Sequence, residues 1–309
     1  MALELGPYDG PRLDRATLLR LLGPLPEPAP LDARVEEVVE TGGVVRERVS
    51  FQAEAGERIP AFLLRPAAGG AAHPGVLCLH QHAGQFELGK SEPAGLAGNP
   101  EQHYALELAR RGYVTFTFDQ ICFEERIDPR LAGNLYERFE FTRRVTLGSC
   151  LQAKMSWDAM RALDYLASRP EVASTRLGCI GHSLGGQQAL FLAALDERIR
   201  CGVSSCGFAS LATIFRDGIN HNFGAYVPGL GQHGDMGDLL ALVAPRAFFA
   251  CFGRADRIFP IDGVGASLAR ARAAFPEGHL ETIVEDGGHA FTDAMRERAY
   301  AFLDRFLQE

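Results

Sequence analysis

Apolar residues fall into two textures along the chain. Residues 35–65 read as β structure, with Val44 to Phe51 and Ile59 to Arg65 set apart by a polar Glu-Ala-Gly-Glu turn. From residue 75 onward, short apolar runs without polar alternation recur, predicting strands at Gly75–His80, Tyr113–Phe118, Leu177–Gly181, Cys201–Ser205, Ala247–Phe252 and Leu280–Glu285. Helical stretches lie between them, at residues 100–111, 151–168, 184–195, 236–243, 263–275 and 291–307. Solidly apolar strands alternating with helices imply a mostly parallel sheet covered on both faces, an α/β fold, with the β-rich opening as antiparallel edge strands. Ahead of the sheet, residues 12–22 form a short amphipathic pattern closed by the Pro-rich stretch Gly23 to Pro30. The expected division is therefore an arm and linker over 1–30 and a single α/β domain over 31–309.

Two connections exceed any plain turn, at residues 120–148 and 207–235. Structureless stretches of that length in a compact domain are usually functional. Both leave strand C-terminal ends, where open α/β sheets bind ligands, so they are expected to wall a pocket.

Composition narrows the partners. The chain has 309 residues, 47% of them hydrophobic, and carries a net charge of −8. An acidic balance disfavours nucleic acid and anionic membrane, which select a basic face. Only Lys90 and Lys154 are lysines among 31 basic residues. The seven cysteines are odd in number and lack any Cys-x-x-Cys pair, so they read as core residues in a reducing compartment. The opening Met-Ala-Leu-Glu-Leu-Gly-Pro has neither basic nor apolar signal character, and no apolar run approaches a membrane span. A cytoplasmic protein without membrane association is expected. The arm could exchange with a neighbouring copy, which leaves a homo-oligomer open.

Chemistry concentrates in Gly181-His-Ser183-Leu-Gly185, placed between an apolar strand and a helix beginning near Leu184. A G-x-S-x-G turn from strand to helix needs small residues beside a serine thrust out in strained geometry. The helix N-terminus then presents free N–H groups, Leu184 first, to a developing oxyanion. A nucleophilic serine requires a base and an acid that orients it, in the chain order Ser, acid, His. Asp256 follows the strand Ala247–Phe252, and His289 follows the strand Leu280–Glu285, both on the sheet edge that carries Ser183. Asp262 and Asp286 compete for the acid role, but the first begins a helix and the second is three residues from His289. His182 is expected to pack away from the pocket. The loop Leu79-His80-Gln81-His82-Ala83-Gly84 offers Gln81 or His82 N–H as a second oxyanion donor. His80 and His82 lack a third ligand at telling spacing, so no metal is expected.

The segments His80-Gln-His-Ala-Gly84, Asp119-Gln-Ile-Cys-Phe-Glu-Glu125-Arg126, the run from Trp157 to Val172, and Gly181-His-Ser-Leu-Gly-Gly186 resemble the α/β-hydrolase superfamily. Within it, the chain is similar to the dienelactone-hydrolase-like and acetyl xylan esterase-like branch over residues 58–309. The resemblance implies a core of about eight strands, the triad Ser183, Asp256 and His289, and His82 as the better second donor. Gln81 stands where related esterases carry glycine, and serine replaces the cysteine of dienelactone hydrolases proper.

The function expected is hydrolysis of a small-molecule carboxylic ester through an acyl-serine, with no cofactor. A peptidase of prolyl-oligopeptidase type, a thioesterase or a cofactor-free haloperoxidase are the enzymatic alternatives. Residues 1–75 are too few to form the propeller that such peptidases usually carry. A catalytically silent binding protein is the non-enzymatic alternative, disfavoured by the intact triad order. Glu125, Arg126, His221 and Tyr226 are candidate substrate contacts. For Glu125 and Arg126 the competing role is a salt-bridged loop anchor, and for Trp157 it is helix packing.

Overall fold

A computed structural model describes residues 5–70 and 72–308. Among these residues nine strands form one sheet: β1 (Arg34–Thr41), β2 (Val44–Glu54), β3 (Glu57–Pro66), β4 (His73–Leu79), β5 (Val114–Phe118), β6 (Val172–His182), β7 (Ile199–Ser205), β8 (Ala247–Gly253) and β9 (Leu280–Glu285). Their order is β1-β2-β3-β5-β4-β6-β7-β8-β9. The first three pair antiparallel and the remaining six are parallel, with β3 joined antiparallel to β5. The count exceeds the expected eight because residues 34–41 extend the N-terminal hairpin into an exposed edge strand.

The helices are α1 (Arg15–Leu22), α2 (Tyr104–Arg110), α3 (Asn134–Thr146), α4 (Leu151–Ser168), α5 (Leu184–Leu195), α6 (Leu211–Arg216), α7 (Leu230–His233), α8 (Met236–Ala241), α9 (Ile261–Arg272) and α10 (Asp293–Leu307). The period of two in a strand sends alternate side chains to opposite faces. Leu77, Leu79, Cys179, Phe248, Ala250 and Phe252 pack with α1, α4, α5, α8 and α9. Their neighbours Val76, Cys78, Ile180, Val203, Phe249 and Cys251 pack with α2 and α10 on the other face. Both faces are thus covered, which explains the unalternating apolar runs.

Residues 13–22 are seated on this body. Leu13, Leu18 and Leu22 are buried in the first core, and Arg15 Nε donates to Ala194 O at 3.0 Å. All seven cysteines are buried and unbridged. Among the described residues no helix is long and apolar enough to cross a membrane.

The connection 120–148 contains α3, which the hydrophobic pattern missed. Leu135, Phe139 and Val145 of this helix are exposed, whereas Glu137 and Glu140 are buried. An amphipathic helix is recognised by burying its apolar stripe, and here the polarity is reversed.

Candidate active site

Strand β6 enters the centre of the sheet and turns into α5 at Ser183, whose φ of 56° and ψ of −119° are strained for a residue with a side chain. Two glycines make the turn possible. A Cβ on Gly185 would lie 1.9 Å from Leu79 O, and one on Gly181 would lie 2.2 Å from the Gly185 carbonyl carbon. Ser183 N–H donates to Ser205 O at 2.8 Å, tying the elbow to β7. The side chain emerges at the C-terminal edge of the sheet, and its hydroxyl has no hydrogen-bond partner among the described residues.

His289 Nδ1 and Asp256 Oδ2 are 2.7 Å apart. Asp256 Oδ1 accepts the Ile258 and Phe259 N–H groups at 2.9 and 3.1 Å, so both carboxylate oxygens are engaged. Burial raises the Asp256 pKa, but the His289 contact and the two backbone donors prevail and hold it below the ordinary aspartate value. An ionised Asp256 is an acceptor for an Nδ1–H of His289, a bond that leaves Nε2 as the ring nitrogen without a partner among the described residues. The loops bearing these residues are stitched by main-chain bonds, Arg254 N–H to Glu285 O at 2.7 Å and Ala255 N–H to Gly287 O at 2.8 Å. Gly253 permits that approach, because a Cβ there would fall 1.9 Å from Gly288 O.

The competing acids are engaged elsewhere. Asp262 pairs with Arg216 at 2.8 Å and Asp286 with Arg254 at 2.9 Å, both on the surface. His182 is buried, bonded through Nδ1 to Ser205 Oγ at 3.0 Å, and lies against the rings of His289 and Phe291. Burial, with the adjacent His289, lowers its pKa to about 3, so it stays neutral as packing beneath the His289 ring.

After β4 the chain presents His80, Gln81 and His82. His80 accepts Gln120 N–H through Nε2 and donates from Nδ1 to Gln81 O. His82 accepts Gly84 N–H through Nδ1 at 3.0 Å, which leaves Nε2–H to donate to Glu137 Oε2 at 3.2 Å. These bonds occupy both ring nitrogens of each histidine with protein partners. Among the described residues, neither Gln81 N–H nor His82 N–H donates to another group.

A cavity of about 570 Å³ opens beside this loop. His82, Asn134, Glu137 and Arg138 line one side, and Asn220, His221, Phe223 and Tyr226 the other. His221 and Tyr226 therefore occupy the wall expected of them, joined by the bond from His221 N–H to Tyr226 Oη at 3.0 Å. The His221 ring packs on Phe259 at 4.6 Å, and Phe259 stacks on His289 at 5.7 Å, so the wall runs to His289. Gln187 of α5 donates to Gly224 O at 3.0 Å and supports the wall from behind.

Glu125 and Arg126 do not line the cavity and are corrected to loop anchors. Glu125 pairs with Lys90 at 2.7 Å and Arg48 at 2.9 Å. Arg126 is buried between Glu57 and Asp158 and donates to Asp119 O. Three of its five N–H groups are spent on these partners, and the guanidinium lies buried away from the cavity. Trp157, on α4, is buried in the first core with Nε1–H donating to Ala53 O of β2. Glu137 and Phe259 were not singled out by sequence reasoning. Glu137 is one of two glutamates on a helix whose pattern gave no signal, and Phe259 is an unremarked aromatic beside Pro260.

Comparison with known proteins places this geometry. The profile of the prolyl oligopeptidase family matches residues 151–309, from α4 to the C-terminus. YtaP of Bacillus subtilis (strain 168), whose name assigns it only provisionally to the hydrolases, is 30% identical over 302 residues, covering 95% of this chain and 98% of its own. Among solved structures, a glucuronoyl esterase from Solibacter usitatus superposes with a TM-score of 0.68 at 19% identity, over 90% of this chain and 86% of its own. An acetyl xylan esterase from Paenibacillus sp. R4 superposes at 0.63 and 19% identity, over 90% of each chain. The mostly parallel sheet with a nucleophile elbow is the α/β-hydrolase fold, and on its family profile and its full-length relative the chain belongs to the prolyl oligopeptidase family.

Proposed function

We propose that the protein is a serine hydrolase of small carboxylic esters. The observation that carries the reading is the Asp256–His289 pair, with Asp256 wholly engaged and His289 at the strand edge where the strained Ser183 emerges. His289 Nε2 takes the Ser183 proton as Oγ attacks the ester carbonyl carbon, and the carbonyl π electrons move to oxygen. Leu184 N–H, first in α5, and His82 or Gln81 N–H stabilise that oxyanion. Collapse re-forms the carbonyl and breaks the bond to the alcohol oxygen, which takes the proton from His289. Water, deprotonated by the same imidazole, then attacks the acyl-serine, and its proton returns to Ser183 as the carboxylic acid leaves.

The esterase structures among its neighbours support ester over amide substrates. The family name keeps a peptidase reading in view. Seven unbridged, buried cysteines support a reducing, cytoplasmic setting. The test is hydrolysis of p-nitrophenyl acetate, butyrate and octanoate and of prolyl-p-nitroanilide, with fluorophosphonate labelling alongside. The expected result is ester turnover and labelling that both vanish in Ser183→Ala, a loss of about 10⁴-fold or more. Anilide turnover without ester turnover would transfer the reading to a peptidase, and a folded protein with neither activity nor labelling would overturn it.

A further inference from the structure

We infer that Glu137 is a positioning residue that sets the oxyanion loop and the cavity wall with one carboxylate. The inference rests on the serine-hydrolase reading above. Glu137 lies in the first turn of α3, 1% exposed, and lines the cavity on the His82 side. Its Oε2 receives the His82 ring and its Oε1 the Phe223 N–H at 3.1 Å. The first partner belongs to the loop that supplies the second oxyanion donor, and the second opens the short turn Phe223–Ala225 in the opposite wall. His82 itself is a rigid strut, because Gly84 N–H fixes one ring nitrogen and the Phe86 and Phe123 rings meet it edge-on at 4.9 and 5.1 Å. The direction of His82 N–H is thus coupled to the Glu137 carboxylate through a side chain with little freedom.

Donor and acceptor matching makes glutamate specific here. Both partners are donors, Nε2–H on one side and a peptide N–H on the other, so both need an acceptor. A carboxylate supplies two. A glutamine supplies one oxygen and turns an NH₂ toward the other donor, so a change of a single atom type unseats one loop without altering the volume. Glu140, the other buried glutamate of α3, is spent on Arg143 and Arg144 and touches neither loop. It shares the helix and the burial while lacking the coupling.

The experiment compares Glu137→Gln, Glu140→Gln and His82→Ala with the wild type. It reads the kcat and KM of p-nitrophenyl acetate, the rate of fluorophosphonate labelling of Ser183, and the thermal midpoint. Phosphonylation places an oxygen in the oxyanion hole and so reports its alignment even for an unsuitable ester. The expected result for Glu137→Gln is a fall in kcat and labelling rate of about 10- to 100-fold, short of the ~10²–10³-fold for outright loss of an oxyanion donor. KM should stay within about threefold. Glu140→Gln should label at the wild-type rate even if its midpoint drops. Combining Glu137→Gln with His82→Ala should cost less than the product of the single losses. Equal losses in the two glutamine variants, or a Glu137→Gln effect confined to KM, would overturn the positioning role and leave the serine-hydrolase reading intact. An unlabelled wild type would overturn both.

Discussion

At the scale of single residues, the site is held by places where a side chain is forbidden as much as by those that carry chemistry. Gly253 ends β8 against the carbonyl of Gly288, one residue before His289. A methyl group there must push the Asp256 loop from the His289 loop, lengthening the 2.7 Å contact between the two side chains. Misplacement of about 1 Å can cost on the order of 100-fold in rate. Gly253→Ala is therefore expected to lower kcat by about 10- to 100-fold, and steady-state kinetics on a p-nitrophenyl ester would show it. An unchanged kcat would mean that the two loops move together. The elbow, Asp256 and His289 were legible in the sequence because each sits at a fixed offset from an apolar strand. Glu137 was not, because its importance lies in two partners 55 and 86 residues away.

At the scale of elements, the connection 120–148 is anchored by buried charge. Arg126 and Lys154 share Asp158 and Glu57 beneath β3, and Lys90 joins Asp119, Glu124 and Glu125 next to it. Removing one partner of a buried network leaves an uncompensated charge, which costs about 3–5 kcal/mol. Asp158→Ala removes the fully buried carboxylate that Arg126 and Lys154 share but leaves Glu54 and Glu57 as their partners, so it should lower unfolding stability by less, about 1–3 kcal/mol, in urea denaturation. A loss below about 1 kcal/mol would show that water reaches the network. These charges also explain the misreading of Glu125 and Arg126. Polar residues in a long connection resemble ligand contacts until their partners, Arg48, Glu57 and Asp158, are brought in from distant parts of the chain. The strands escaped that ambiguity because their signal is local and repeats along a single run.

For the molecule as a whole, buried histidines set the response to acid. Burial lowers the His80 pKa from 6.5 to about 4 and that of His182 to about 3. Below the ordinary value the unfolded chain binds a proton at each position while the folded chain does not. Stability from these groups is therefore complete above pH 6.5 and is lost as the pH falls toward 4. Asp119, which burial raises to about 7, acts in the opposite sense over part of that range. The histidine contribution must then be read as a difference. Urea midpoints taken near pH 7 and near pH 4.5 should converge more closely in His182→Gln than in the wild type. An identical pH slope in both would mean that His182 is protonated in the folded state.

The distribution of amines gives the folded molecule a chemical anonymity. The chain has only two lysines, and Lys90 and Lys154 are 0% and 2% exposed, each enclosed by carboxylates. Reagents that acylate or cross-link side-chain amines meet none on its surface, and a protease that cuts only after lysine finds both bonds inside the fold. Either treatment becomes a clock of opening rather than a map of the surface. Lys154 lies in the long helix beneath the sheet and Lys90 in the loop ahead of α2, so the order in which they react would tell which half of the structure loosens first.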